Sequence, residues 1–421
     1  MKLLKVDTIE QARGKIASYV KSWKLKTETL PLCETLQRIL AEDIFNTCDI
    51  PSFRRSTVDG YAVIASDTSG AGESIPVFLK QVGAVLTGKP ADFSLESGEC
   101  AYVPTGGMLP GGADAVVMIE YSEQVNVSNE KKDTVIAIYE AVASGAGTVE
   151  AGEDFKSGEL LLKKGTLMRP QEIGALSAAG IVNASVYAPL RIAIISTGDE
   201  LTVPDKEPAL GEIRDINTNS LKALSVRHGY KTVLTQVLGD DETQLENAVR
   251  EAMFLSDIVI ISGGSSQGEK DFTAMIIDRA AKPGVFTRGL AVKPGKPAIL
   301  GWDDESQTLL AGLPGHPVSA IMIFELMFGA SFKNELFKIV RPSFMISHSL
   351  KARISCNIPG SPGKTLCMPV ALTFNDGVYT AQPVFGKAGM ISVLTRADGY
   401  IVIDINKEGL NKDETVMVHL F

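Results

Sequence analysis

An apolar run from Ile258 to Ser262 passes directly into Gly263, Gly264, Ser265 and Ser266, and Asp271 stands just ahead of a helical pattern that starts at Phe272. Glycines reach backbone angles closed to other residues, serines offer hydroxyls, and a run of backbone amides before a helix N-terminus binds anions. Asp271 is placed to cap that helix. Spacing alone leaves a second reading open, a tight strand-to-helix turn with a capping Asp. A similar loop, Ser196, Thr197, Gly198, Asp199 and Glu200, follows the strand Ile192–Ile195. A third, GLPGHPVSA from Gly312 to Ala320, follows Thr308–Ala311; Pro314 and Gly315 stiffen the approach to a helix carrying Ser319, while His316 taken alone reads as a turn or capping residue. Open α/β sheets bind ligands at the carboxyl ends of their strands, where these loops converge. A phosphate-bearing ligand suits them.

In AVKPGKP, Lys293 and Lys296 flank a Pro-Gly turn that can aim both amines at one oxyanion or leave both in solvent. Asp59 lies in the turn STVDGYAV, and Thr105, Gly106 and Gly107 lie between two apolar runs; local rules make both segments hairpin turns. Yet Asp59, Asp154, Glu200, Asp240 and Asp271 all sit in loops beside Gly, Ser or strand ends. Carboxylates gathered round an anion repel it unless a dication lies between them, so the combination implies an oxygen-held metal such as Mg²⁺. The four histidines never fall at metal-ligand spacing, and the five cysteines include no CxxC pair. That argues against a thiolate zinc site and a disulfide framework, and leaves the cysteines as buried apolar residues or bystanders.

These loops need elements to hold them. At 421 residues the chain exceeds one ordinary core, and roughly three or four domains are expected. Its 45% apolar and 22% charged composition is globular, and no stretch is long and clean enough to span a bilayer. The N-terminus lacks a signal-peptide core, so the expected location is cytoplasmic. A net charge of −9 matches extended nucleic acid poorly. Helical periodicity covers Thr8–Val20 and Cys33–Ile44, and short apolar runs broken by Gly and Pro from about Ile50 to Tyr139 read as a β-rich insert. A helix at Pro170–Ala179 follows, with its Pro suited to the first turn. From Arg191 to Phe332 strands alternate with helices, as in a mostly parallel sheet with crossovers. Beyond about Arg341 the chain reads as a small β-domain.

Taken together, STVDGYAV, VPTGGMLPGGADAVVMIE, AGEDFKSGE, STGDEL, SGGSSQGEKDF, AVKPGKP and GLPGHPVSA resemble, in order and approximate spacing over nearly the whole chain, the molybdopterin molybdotransferases of the MoeA and gephyrin E-domain type. The resemblance implies a multidomain α/β plus β fold in an elongated L-shaped subunit. Its parts would be a discontinuous linker and dimerisation domain (1–48 and 141–188), a β-rich insert (49–140), a doubly wound molybdopterin-binding α/β domain (189–336) and a C-terminal β-domain (337–421). It implies a homodimer with a shared site that Asp59 and Thr105 reach in trans, and other cofactor-synthesis enzymes as partners. The implied reaction inserts molybdate into adenylylated molybdopterin with Mg²⁺ and releases AMP. Glu200, Asp240 and Asp271 match the metal-associated acids, and Asp59, Thr105 and Asp154 match further site residues. Lys293, Lys296 and Ser319 match the molybdate set. Ser196, Thr197, Gly198, Gly263, Gly264, Ser265, Ser266, Pro314 and Gly315 make up the pterin and phosphate set. Pro369 and Lys387 stand near where relatives place an Arg and a Ser, and the nearest base ahead of LAVKPGKP is Arg288. A molybdopterin adenylyltransferase and a non-enzymatic scaffold are the alternative readings. Molybdate and tungstate have the same charge and nearly the same size, so the implied oxyanion set suits either.

Overall fold

The computed structural model describes residues 6–126, 134–263, 270–340 and 349–421. Thr8 opens helix α1 (Ile9–Val20) with a capping box: its hydroxyl accepts the Gln11 amide at 3.2 Å, and its own N–H donates to the Gln11 side chain at 2.9 Å. The buried stripe Ile9, Ala12, Ile16 and Val20 packs into the core of the α/β domain, beside Ile192, Ile194 and Leu309. No helix forms over Cys33–Ile44. That stretch holds one 3₁₀ turn, Leu32–Glu34, and then bridges Ile39 to Leu167 and Leu40 to Val186. Leu36, which a helix would have turned inward, is exposed. Pairing with distant chain overrides the local period here.

Three antiparallel ladders tie the chain leading into the insert sheet to the chain leaving it: Thr27–Pro31 with Asn183–Tyr187, Ile44–Phe45 with Leu160–Leu162, and Arg55–Ser56 with Thr148–Val149. Helix α2 (Pro170–Ala178) begins with its Pro in the first turn. The insert is a six-stranded sheet whose strands Gly60–Val63, Glu99–Val103 and Ala115–Met118 lie together. Its longest strand, Val77–Ala84, escapes a search for apolar runs because exposed Lys80 and Phe78 alternate with inward Leu79.

The α/β domain orders its strands β2-β1-β3-β6-β5-β4, where β1 is Arg191–Thr197, β2 Lys231–Leu238, β3 Ile258–Gly263, β4 Pro283–Arg288, β5 Ile299–Asp303 and β6 Thr308–Pro314. The pairs β2–β1, β1–β3 and β3–β6 are parallel, while β5 and β4 run antiparallel at one edge. Both faces are buried. Ile192, Ile194, Ile258 and Ile260 share a core with α1, α3 (Asn217–Arg227) and α6 (Pro317–Phe328); Ala193, Ile195, Val259 and Ile261 pack with α4 (Glu242–Leu255) and α5 (Lys270–Ala280). The sheet is therefore doubly wound. Helix α6 buries every residue except Glu325, which is why its sequence shows no polar face. Helix α7 (Ala330–Phe337) follows it. In the C-terminal domain, Thr365–Asn375 pairs with both Val378–Pro383 and Gly399–Ile403, and Ser349–Ile354 and Thr415–Leu420 complete a closed ring of five strands. Closure removes open sheet edges.

Among the described residues, no helix is long and apolar enough to cross a membrane. The cysteines divide: Cys100 and Cys367 are buried, and burial pushes their thiols up to about 12, whereas Cys33 and Cys48 are exposed.

Candidate active site

The parallel strands end in step. Leu238, Thr197, Gly263 and Pro314 occupy one register row across β2, β1, β3 and β6, so the loops beginning at Gly239, Gly198 and Gly315 leave the sheet at one level. Gly264, Ser265 and Ser266 lie outside the described residues. Asp271 lies within α5, which already includes Lys270, so it is not the cap of a helix starting at Phe272. Beneath the loops is a layer of buried hydroxyls and amides. Ser196 Oγ and Thr218 Oγ1 share a hydrogen bond of 2.8 Å, and Asn217 Nδ2 donates to Ser262 Oγ at 2.9 Å and to the Gly315 carbonyl at 2.7 Å. Thr197 Oγ1 donates to Asp240 Oδ1 at 2.8 Å, and the Asp240 amide donates to Asp199 Oδ1 at 2.9 Å.

Two glycines are fixed by this packing. A methyl on Gly263 would stand 2.1 Å from Thr197 Cγ2 and 2.6 Å from the Thr197 carbonyl oxygen. One on Gly198 would meet the Glu200 carboxylate at 2.8 Å. Among the described residues, Asp199, Glu200 and Asp240 have no cationic partner, and all present oxygen. Such donors fit a hard dication. No three acidic, His or Cys side chains among the described residues converge closely enough to hold a metal alone, so an ion here would also draw oxygens from its ligand, as Mg²⁺ does with phosphates.

The lysine turn is fastened from three sides. Val292–Lys293 runs parallel to Thr365–Leu366 of the C-terminal domain, the Ala291 amide donates to the Asp7 carbonyl at 2.7 Å, and the Leu290 amide donates to the Lys296 carbonyl at 2.9 Å. Gly295 has φ +114, and a methyl there would lie 2.6 Å from Ile323 Cδ1. Ile323 is one helical turn beyond Ser319 on α6, so the turn between Lys293 and Lys296 rests on the helix that carries Ser319. Both lysines are exposed, whereas Ser319 is 4% exposed. Arg288 is held by Asp278 at 2.5 Å.

His316 precedes Pro317, the first residue of α6, and makes no side-chain capping bond. The C-terminal domain closes on this spot: the Val318 amide donates to the Ala388 carbonyl at 3.2 Å, and Gly389 abuts the His316 ring. Exposed Lys387 is therefore carried to the mouth of the α6 loop, while Pro369 is a strand residue opposite Tyr400.

In the insert, Asp59 Oδ1 accepts the Thr105 amide at 2.7 Å and the Thr105 hydroxyl at 3.2 Å. Two turns that local rules treat separately thus form one exposed unit. Asp154 is exposed, its amide bonded to the Ile50 carbonyl. No described hydrogen bond within the chain links Asp59, Thr105 or Asp154 to Thr197, Asp240 or Lys293. Sequence reading overlooks Asp215, Asn217 and Thr218, all buried at the start of α3. Their signal is present in DINTNS: Asp215 Oδ1 accepts the amides of Asn217 at 3.0 Å and Thr218 at 3.3 Å, a capping pattern that starts α3 at Asn217 rather than Ser220.

Residues 7–180 match the family described as MoeA N-terminal region (domain I and II), 193–334 the probable molybdopterin binding domain, and 351–421 the MoeA C-terminal region (domain IV). A molybdopterin molybdenumtransferase of Haemophilus influenzae is 34% identical over 432 residues, covering 98% of each chain. The chain belongs to the MoeA family. A putative molybdopterin biosynthesis protein of Methanocaldococcus jannaschii is 32% identical over 96% of this chain and 95% of its own. The crystal structure of a MoeA protein from Pyrococcus horikosii aligns over 99% of both chains at 34% identity with a TM-score of 0.79. The row of strand ends lies in the segment that matches the probable molybdopterin binding domain, and Lys387 lies in the segment that matches domain IV.

Proposed function

We propose that this MoeA-family chain is a molybdopterin molybdotransferase that inserts molybdate into adenylylated molybdopterin and releases AMP. The observation that carries the reading is the lysine turn seated on α6. Lys293 and Lys296 supply positive charge and Ser319 a hydroxyl to a small oxyanion, on the helix that follows β6, while the Thr197–Asp240 pair stands at the ends of β1 and β2. Molybdate is a dianion and needs such a cradle. Gly198 and Gly263 let backbone amides approach a phosphate, with Ser196 and Thr197 beneath. Glu200 and Asp240, with Asp271, would hold Mg²⁺, which when bound offsets phosphate charge during AMP departure. The exposed Asp59–Thr105 unit is assigned to the site of a second copy in a homodimer, with Asp154 as a further site residue.

The test is reconstitution with adenylylated molybdopterin, Mg²⁺ and molybdate, following AMP and bound molybdenum together. Molybdate-dependent AMP release is expected. Transfer of AMP from ATP onto molybdopterin would instead identify an adenylyltransferase. Lys293→Ala and Lys296→Ala should weaken molybdate use while leaving binding of the adenylylated pterin nearly intact; equal loss of both would sink the division of roles.

A further inference from the structure

The start of α3 is a buried polar hub that the roles assigned so far leave unused. Asp215 is 4% exposed, Asn217 7% and Thr218 9%. Through Thr218 the hub reaches Ser196 at the end of β1; through Asn217 it reaches Ser262 at the end of β3 and the Gly315 carbonyl beyond β6. Asp215 locks the hub by accepting two of its backbone amides. The Asn217 amide orientation is determined, because the Gly315 carbonyl can only accept and so requires Nδ2. Among the described residues its Oδ1 is then buried with no partner. The two N–H bonds to Ser262 and Gly315 are thus made with a buried acceptor left over, which offsets part of what they contribute to stability.

We propose that Asn217 is a positioning residue: its two N–H donors fix the spacing between the end of β3, on the phosphate side, and, through the Gly315 carbonyl, the start of α6, the helix whose Ser319 belongs to the molybdate side. This rests on the assignment of those two sides made above. Each half-site is built from its own set of residues, so losing the strut should leave each ligand able to bind alone but misplace one relative to the other. Reactions between two bound groups lose about a hundredfold for a displacement near 1 Å.

The experiment compares Asn217→Ala, Ser262→Ala and, as a stability control, Thr308→Val. Thr308 is a buried hydroxyl at the opposite end of the sheet, bonded to the Met253 carbonyl at 3.2 Å. For Asn217→Ala, kcat for molybdenum insertion should fall about 10- to 100-fold while the separate dissociation constants for molybdopterin and molybdate move less than about threefold. Hydrogen exchange across 312–320 should speed up. Thr308→Val should lower Tm but leave kcat and that exchange unchanged. Wild-type kcat in Asn217→Ala, parallel loss of both affinities, or unchanged exchange across 312–320 would overturn the proposal. If wild type inserts no molybdenum, the functional reading fails, and the exchange data still decide the strut. Should Asn217→Ala not fold, Ser262→Ala removes one of the two bonds and should give a smaller kcat loss; no loss overturns the strut.

Discussion

Gly263→Ala should disconnect chemistry from folding. The added methyl meets the Thr197 carbonyl oxygen at 2.6 Å and Thr197 Cγ2 at 2.1 Å. Rotating the Thr197 side chain relieves the second contact only. The first is backbone, and ordinary contact requires the ends of β1 and β3 to separate by about 0.8 Å. Overpacking of this kind costs about 1–3 kcal/mol of stability. The shift acts directly on Thr197, whose hydroxyl bonds Asp240 at 2.8 Å, so the pair proposed to face the phosphate is displaced by a similar amount. A misplacement near 1 Å costs on the order of a hundredfold in rate. The control is Gly301→Ala, whose methyl would meet Ile277 Cγ2 at 2.5 Å within the α5 packing. Urea unfolding should show comparable stability losses, and AMP release should fall only in Gly263→Ala. Equal rates in the two variants, or a rate loss in Gly263→Ala no greater than its unfolded fraction explains, would refute the reasoning.

Gly295→Ala combines positive φ with a 2.6 Å contact to Ile323, so the lysine turn must lift from α6. Half-saturation by molybdate should rise about tenfold with pterin binding little changed, and a stability loss of about 1–3 kcal/mol should accompany it. Lys333 tests a group far from the site: burial lowers its pKa from 10.5 to about 8, while its ammonium donates to the His228 carbonyl at 2.7 Å. Below about 8 both folded and unfolded chains carry the proton and the burial penalty is fully present. Between about 8 and 10.5 the unfolded chain binds more protons, so stability rises with pH across that window. Lys333→Met should flatten the rise in urea midpoints; parallel profiles would remove Lys333 as its source.

Much of the α/β domain was legible because its signals are local. Ile192–Ile195, Ile258–Ile261 and Leu309–Ala311 are short unbroken apolar runs bounded by turn residues, the pattern of a strand buried on both faces. The strands that went unread, Val77–Ala84 and Pro283–Arg288, mix charged with apolar residues and are specified by their partners. Cys33–Ile44 shows the opposite failure, a helical period cancelled by bridges to Leu167 and Val186.

By itself, the sequence determined which residue types would meet an anion: glycines and hydroxyls after strands, two lysines about a Pro-Gly turn, and carboxylates beside them. Motif order also determined the MoeA resemblance. Only the tertiary structure decided that Leu238, Thr197, Gly263 and Pro314 end in one row, that Gly295 rests against Ile323 below Ser319, and that Asp59 and Thr105 form one unit. The physical reason is range. Turn chemistry and apolar period act over a few residues, whereas parallel register and the joining of α3 to the loop after β6 depend on hydrogen bonds between residues as far apart as Asn217 and Gly315.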